Sequence, residues 1–192
     1  MLHFVHIEVI PLAERYSKSS RQVSDEIVME ASGICKSFPG VKALSDVDIK
    51  IRRGEVVALL GENGAGKSTL IKILSGVYQP DAGEIRMGGR KVHFPLPVEA
   101  KLAGIGVIHQ ELNYVSSVSV AENIFIGNIP KKHGLVDYKT MYAESRKIMA
   151  EVGLDLDPKL PIGSCSVAQK QLIELAKVIS NDIKVLIMDE PT

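Results

Sequence analysis

The chain has 192 residues, enough for one domain of ordinary size, and its 45% hydrophobic content can fill a packed core. Lysine plus arginine equals aspartate plus glutamate at 23 each, so there is no global field of the kind that marks nucleic-acid or membrane-surface binders. Any anionic partner has to be held locally.

The N-terminal stretch MLHFVHIEVIPLAER is apolar, but His3, His6, Glu8 and Pro11 interrupt it and no small-residue cleavage site follows. Residues 14 to 26 are polar and serine-rich, so residues 1–26 are expected to form a separate extension. Residues 27–31 and the alternating Val47, Ile49 and Ile51 predict strands with one buried face, separated by a turn at Phe38, Pro39 and Gly40. They predict the edge of an antiparallel layer. EVVALL at 55–60 is a continuous apolar run, as expected of a central parallel strand covered on both faces, and KVLIM at 184–188 is a second.

Leu70, Ile71, Ile73 and Leu74 fall at helical spacing and end at Gly76, which can take the left-handed cap conformation. EIRM, Gly88–Gly89 and RKVHF predict a hairpin, because a glycine pair supplies the positive φ of a two-residue turn. From 116 to 181 the pattern is helical. Met141, Tyr142, Ile148, Met149 and Val152 share one face behind a cap at Asp137, and Leu172, Leu175, Ala176 and Ile179 share another. Cys35 and Cys165 match no metal-ligand spacing and suit a reducing cytosol as small core residues. No apolar run approaches the roughly 18 to 20 residues of a spanning helix.

Between the run at 55–60 and the helix that follows lies GENGAGKS, residues 61–68, which matches GxxxxGK[ST] in the required strand, loop, helix context. The chemistry explains each residue type. Glycines let backbone N–H groups converge on phosphate oxygens, and the helix N-terminus adds a favourable dipole. Gly61, Glu62, Asn63, Gly64, Ala65, Gly66, Lys67, Ser68 and Thr69 are therefore the candidate ATP-binding residues, with Lys67 on the β and γ phosphates and Ser68 on Mg²⁺. The bland alternative is a chance glycine-rich turn before a helix. Further on, VLIMDE at 185–190 is an apolar strand ending in two carboxylates. It fits a Walker B element, Asp189 serving Mg²⁺ and Glu190 the attacking water, although a strand ending in Asp-Glu is often only a solvated strand end.

The succession GENGAGKST, HQE at 109–111, CSVAQKQ at 165–171 and LIMDEPT at 186–192 resembles the ATP-binding cassette (ABC) ATPases. The resemblance covers residues 27–192 and is closest to the branch that includes the ribose, galactose, xylose and arabinose import ATPases. It implies an α/β fold: a RecA-like P-loop NTPase with a parallel core, an antiparallel β layer and a helical subdomain at about 112–181, incomplete at the C-terminus. It implies that Gln110 contacts Mg²⁺ or the attacking water and links the catalytic core to the helical subdomain. Phe38 stands where the family stacks an aromatic ring on adenine; its bland alternative is a core phenylalanine beside a turn. The family signature is typically LSGGQ, and Cys165, Ser166, Val167, Ala168 and Gln169 replace it here. Ser166 is also a good N-cap, so the same residues fit either a plain helix start or a helix N-terminus aimed at ATP on another cassette.

The resemblance further implies partners: a second cassette, membrane permease subunits and, indirectly, a sugar-binding protein, at the cytoplasmic face of the inner membrane and with no nucleic acid. The family's D-loop and switch histidine would lie beyond Thr192, so turnover by these residues alone is expected to be near background while Mg-ATP binding survives. A non-transport ABC protein, a small-molecule kinase and an inert fragment are the alternatives. Large insertions, an acceptor lid or failure to bind ATP would mark them respectively.

Overall fold

The computed structural model describes residues 24–108 and 113–188, and the backbone of residues 8–11. The chain forms two compact units, divided between Ile105 and Gly106.

In the first unit, β2 (Ile27–Phe38) and β3 (Val41–Arg52) make a long antiparallel hairpin about Pro39 and Gly40, in register from Ile27↔Arg52 to Phe38↔Val41. Inward-facing Ala31, Ile34, Leu44, Val47 and Ile49 are buried, the alternation that a sheet with one covered face requires. β5 (Ala82–Met87) pairs with the other edge of β2, and β6 (Arg90–Val92) completes the order β3-β2-β5-β6. Gly88 and Gly89 have φ 52° and 77°, both positive as the expected two-residue turn demands. The antiparallel layer is thus as expected, with longer strands.

The run at 55–60 differs from its expectation. Only β4 (Val57–Leu60) is a strand. Its neighbour among the described residues is β1 (Glu8–Pro11), antiparallel, with Glu8↔Leu60 and Pro11↔Val57 in register. Val57, Ala58 and Leu59 are only half-buried and Leu60 is 46% exposed. The physical reason is that an apolar run records what a strand can tolerate, not which strand lies beside it. α1 (Lys67–Leu74) follows, with Leu70, Ile71, Ile73 and Leu74 all buried. It stops at Gly76, φ 75°, whose N–H donates to the Ile73 carbonyl. α2 (Pro97–Leu102), which starts on a proline, ends this unit.

The second unit is mainly helical. β7 (Ile105–Ile108) and β10 (Val185–Met188) are hydrogen-bonded neighbours. α3 (Val120–Ile124), α4 (Tyr138–Glu151) and α5 (Val167–Ile179) pack around Val120, Ala121, Ile124, Met141, Met149, Ile162, Ile173 and Ala176. In α5 the fully buried residues are Ile173 and Ala176, whereas Leu172, Leu175 and Ile179 are half-buried, so the buried stripe is turned from the one expected. The helical run is also broken by a small hairpin, β8 (Lys131–Lys132) and β9 (Leu135–Val136), about His133 and Gly134 at φ 51° and 83°.

Helix starts in this unit carry acid-sensitive caps. Ser119 and Glu122 form a reciprocal capping box, and Asp137 accepts from the Thr140 N–H and hydroxyl. The Ser119 hydroxyl and N–H hold the Glu122 carboxyl below its ordinary pKa, and the Thr140 backbone and hydroxyl do the same for Asp137. Carboxylates depressed in the folded state stabilise it above their unfolded pKa, about 4, and this contribution is lost as pH falls through the folded values. Thermal melting is therefore expected to be flat from pH 7 to about pH 4 and to drop below it. Asp137→Asn, which still caps but cannot titrate, should drop less; an equal drop in the variant would refute the assignment.

Candidate functional site

The candidate phosphate loop joins β4 to α1. Gly64 and Gly66 lie at φ 84° and 85°, and the Ala65 N–H closes a tight turn onto the Glu62 carbonyl at 3.1 Å. Left-handed backbone at these two places is open to glycine and costly to other residues. Gly66 is the N-cap of α1, and among the described residues no side chain caps that helix, which leaves its first N–H groups without the usual hydroxyl or carboxylate partner. Gly61, Glu62, Asn63, Gly64 and Ser68 are exposed, and Ala65, Gly66, Lys67 and Thr69 are half-buried. A ligand can reach all of them.

Lys67 curls back over the loop: Nζ donates to the Gly61 carbonyl at 2.7 Å and the Glu62 carbonyl at 2.9 Å. The ammonium is thereby held at the mouth of the loop by oxygens that bring no net charge. Among the described residues these are its two acceptors, which leaves one of its three donors for an anion. Beneath the loop, a Cβ on Gly66 would strike the Ala43 carbonyl oxygen and come within 2.8 Å of Leu44 Cδ2. β3 thus supports the loop from below, a long-range contact with no local signal in the sequence.

Phe38, the candidate adenine platform, is half-buried at the end of β2, edge-on to Tyr78 at 5.5 Å and 67°. Lys36 lies 5.8 Å from its ring centre and pairs with Asp81, which also accepts from the Ser37 N–H. The neighbouring lysine and Ser37 amide hold the Asp81 carboxyl below its ordinary range. These neighbours fix the ring, and sequence spacing alone could not have found them.

In the second unit, the structure places the candidate signature at the start of α5. The Ser166 hydroxyl accepts from the Gln169 N–H, and the Gln169 side chain accepts from the Ser166 N–H, a complete capping box. Ser166, Val167 and Ala168 are exposed, with Val167 66% exposed. Ser166→Ala should lower stability by about 1 kcal/mol, the usual worth of such a cap, read as a shift in the denaturant midpoint at unchanged slope. A variant as stable as the parent would show that the cap is idle. Gln110, Asp189 and Glu190 lie outside the described residues. The strands that lead to them in sequence, β7 ending at Ile108 and β10 ending at Met188, are neighbours in one sheet.

A glycine loop that opens an uncapped helix off an apolar strand, with a lysine poised at its mouth, defines a P-loop NTPase of mixed α/β fold. The ABC transporter family model matches residues 44–192, and the chain belongs to that family. Among solved structures, CbiO1 of Clostridium perfringens, described as part of an ABC transporter complex, aligns with TM-score 0.75 at 26% identity, covering 88% of this chain and 67% of that one. An ABC transporter cassette in its ADP conformation aligns at 0.76 with 28% identity, covering 88% and 70%.

Curated relatives named as ribose/galactose/methyl galactoside import ATP-binding proteins are 55% identical over 163 residues in Burkholderia lata and 51% over 168 in Agrobacterium fabrum. These matches cover 84% and 87% of this chain but 32% and 33% of the relatives, so the chain spans about a third of the length of the proteins it matches. No helix among the described residues is long and apolar enough to cross a membrane.

Proposed function

We propose that this chain is the ATP-binding and ATP-hydrolysing part of an importer for monosaccharides. The observation that carries the reading is Lys67, fastened over a positive-φ glycine loop at the N-terminus of an uncapped helix. The names of the relatives supply the sugar.

In this reading Lys67 exchanges its two carbonyl partners for phosphate oxygens, and the N–H groups at the start of α1 bind the remaining negative charge. Phe38 stacks on the adenine, Glu190 orients a water for in-line attack on the γ-phosphate, and Gln110 holds that water in place. The Ser68 hydroxyl and the Asp189 carboxylate are hard oxygen donors, the set that Mg²⁺ takes together with phosphate and water. When bound with the nucleotide, Mg²⁺ neutralises charge that develops on the transferring phosphoryl group. Ser166, Val167, Ala168 and Gln169 would present the α5 N-terminus to ATP on a second cassette. Val167 and Ala168 keep the backbone farther from phosphate than glycines would.

Residues 27–192 would then be a partial nucleotide-binding domain, with residues 1–26 as an extension of it. Membrane permease subunits and a sugar-binding protein are the further partners, and the cassette would sit peripherally at the cytoplasmic face of the inner membrane. Titration calorimetry with Mg-ATP tests the core of this. Saturable binding that is stronger for ATP than for AMP is expected, and a folded chain that binds neither would sink the proposal.

A further inference from the structure

The chain leaves α1 by a turn that leads to the ring assigned to adenine. The N–H groups of Val77 and Tyr78 both donate to the Lys72 carbonyl, at 2.8 and 3.0 Å, so the backbone just past Gly76 is bonded back onto the last turn of α1. The Lys72 ammonium lies 5.4 Å from the centre of the Tyr78 ring. Tyr78 is half-buried and meets Phe38 edge-on, at 5.5 Å and 67°, a geometry that aromatic pairs prefer.

Asp81 closes the same connection. Its N–H donates to the Cys35 carbonyl at 2.8 Å, and its carboxylate accepts from the Ser37 N–H and from Lys36 Nζ, both at 2.7 Å. Residues 78–81 therefore touch each residue of β2 from Cys35 to Phe38. The sheet holds that strand end poorly. The register of β2 with β3 slips between Ile34 and Lys36 and again between Lys36 and Ser37, and its last pair with β5 is Cys35↔Ala82. Such slips interrupt a ladder and bend the strand, so the exit of α1 supplies the anchorage that regular pairing would give. α1 is buried along Leu70, Ile71, Ile73 and Leu74, and its eight residues make a rigid spacer about 12 Å long. Lys67 stands at one end of it and the partner of Phe38 just beyond the other.

We propose that Tyr78 is a specificity-determining positioning residue: packed against Phe38 from the exit of α1, it holds that ring at a fixed distance from Lys67, so that the site gains from a base joined to a polyphosphate over the span of a nucleotide. The proposal rests on the stacking role given above to Phe38. Stacking depends on the offset and tilt of the two rings, whereas phosphate binding at the loop does not involve Phe38. Loosening Tyr78 therefore costs the base its contact and leaves the phosphates theirs.

Calorimetry on the full chain with Mg-ATP and with magnesium tripolyphosphate, a ligand without a base, tests this, because the ratio of the two affinities reads the contribution of the base. Tyr78→Leu should weaken Mg-ATP by about three- to tenfold, the scale of an aligned aromatic contact, while tripolyphosphate stays within about twofold of the parent. Tyr78→Phe, which keeps the ring and drops the hydroxyl, should match the parent on both ligands. A Tyr78 that only stabilises the fold would weaken both ligands alike or neither, and either result would overturn the proposal while leaving the role of Phe38 standing. If Tyr78→Leu does not fold, Asp81→Ala reads the same connection from a more exposed side chain: a loss confined to Mg-ATP supports the proposal, and an equal loss on both ligands or none overturns it. A parent that binds Mg-ATP no better than tripolyphosphate refutes the stacking role of Phe38 and the positioning role with it, and a folded parent that binds neither refutes the nucleotide reading as a whole.

Discussion

Gly66→Ala is expected to abolish measurable Mg-ATP binding, whereas Gly64→Ala should only weaken it. Both glycines sit at nearly the same φ, 85° and 84°, so the left-handed strain of an alanine, about 1 to 2 kcal/mol, is common to the two. Their surroundings differ. Among the described residues a Cβ at Gly64 meets nothing within 4 Å, but at Gly66 it strikes the Ala43 carbonyl oxygen and the Leu44 side chain. Leu44 is fully buried, and β3 is pinned to β2 on both sides of Ala43 through Ser37↔Lys42 and Lys36↔Leu44. The strand therefore cannot move away and the loop has to lift, adding an overpacking cost of about 1 to 3 kcal/mol. The sum corresponds to a weakening on the order of 10²-fold or more for Gly66→Ala, against about tenfold for Gly64→Ala. Calorimetry with Mg-ATP, beside a melting curve for each variant, measures the difference. Equal affinities in the two variants would show that β3 does not support the loop.

That contrast also marks where sequence reading ends. GENGAGKS could be assigned from spacing because phosphate binding is a local property: glycine, lysine and hydroxyl act within eight consecutive residues. The hairpins at Pro39–Gly40 and Gly88–Gly89, and the caps at Asp137 and Ser166, were legible for the same reason, each depending on residues within four of one another. The partner of β4 was not legible. Five apolar residues in a row, Val56 to Leu60, suit a doubly covered parallel strand and equally a half-buried one, and only a residue some fifty positions away, Glu8 opposite Leu60, distinguishes them. Ala43 under Gly66, Tyr78 against Phe38 and Lys177 on Asn113 are hidden in the same way. The buried stripe of α5 shifted because Ile173 faces the core formed with α3 and α4, and a helix of half-apolar composition offers more than one stripe that could do so.

Lys67→Ala should separate recognition from stability. Among the described residues the ammonium bonds only to the Gly61 and Glu62 carbonyls, both on exposed residues that water can serve when the side chain is removed. The stability loss is therefore expected to stay below about 1 kcal/mol, a melting shift of no more than about 4 °C for a chain of this size. Nucleotide binding has no such substitute, because the exchange of carbonyl for phosphate partners replaces two neutral acceptors with anionic ones that attract the ammonium as full charges. Losing that gain, about 1.5 to 3 kcal/mol, should weaken Mg-ATP binding by about 10- to 100-fold. AMP is the control. It lacks the β and γ phosphates that Lys67 is assigned to, so its affinity should be nearly unchanged, and the ratio of ATP to AMP affinity should collapse. If ATP and AMP weaken together while the protein stays folded, Lys67 acts on the loop's shape and not on the phosphates, and the Gly61 and Glu62 carbonyl bonds would be its whole purpose.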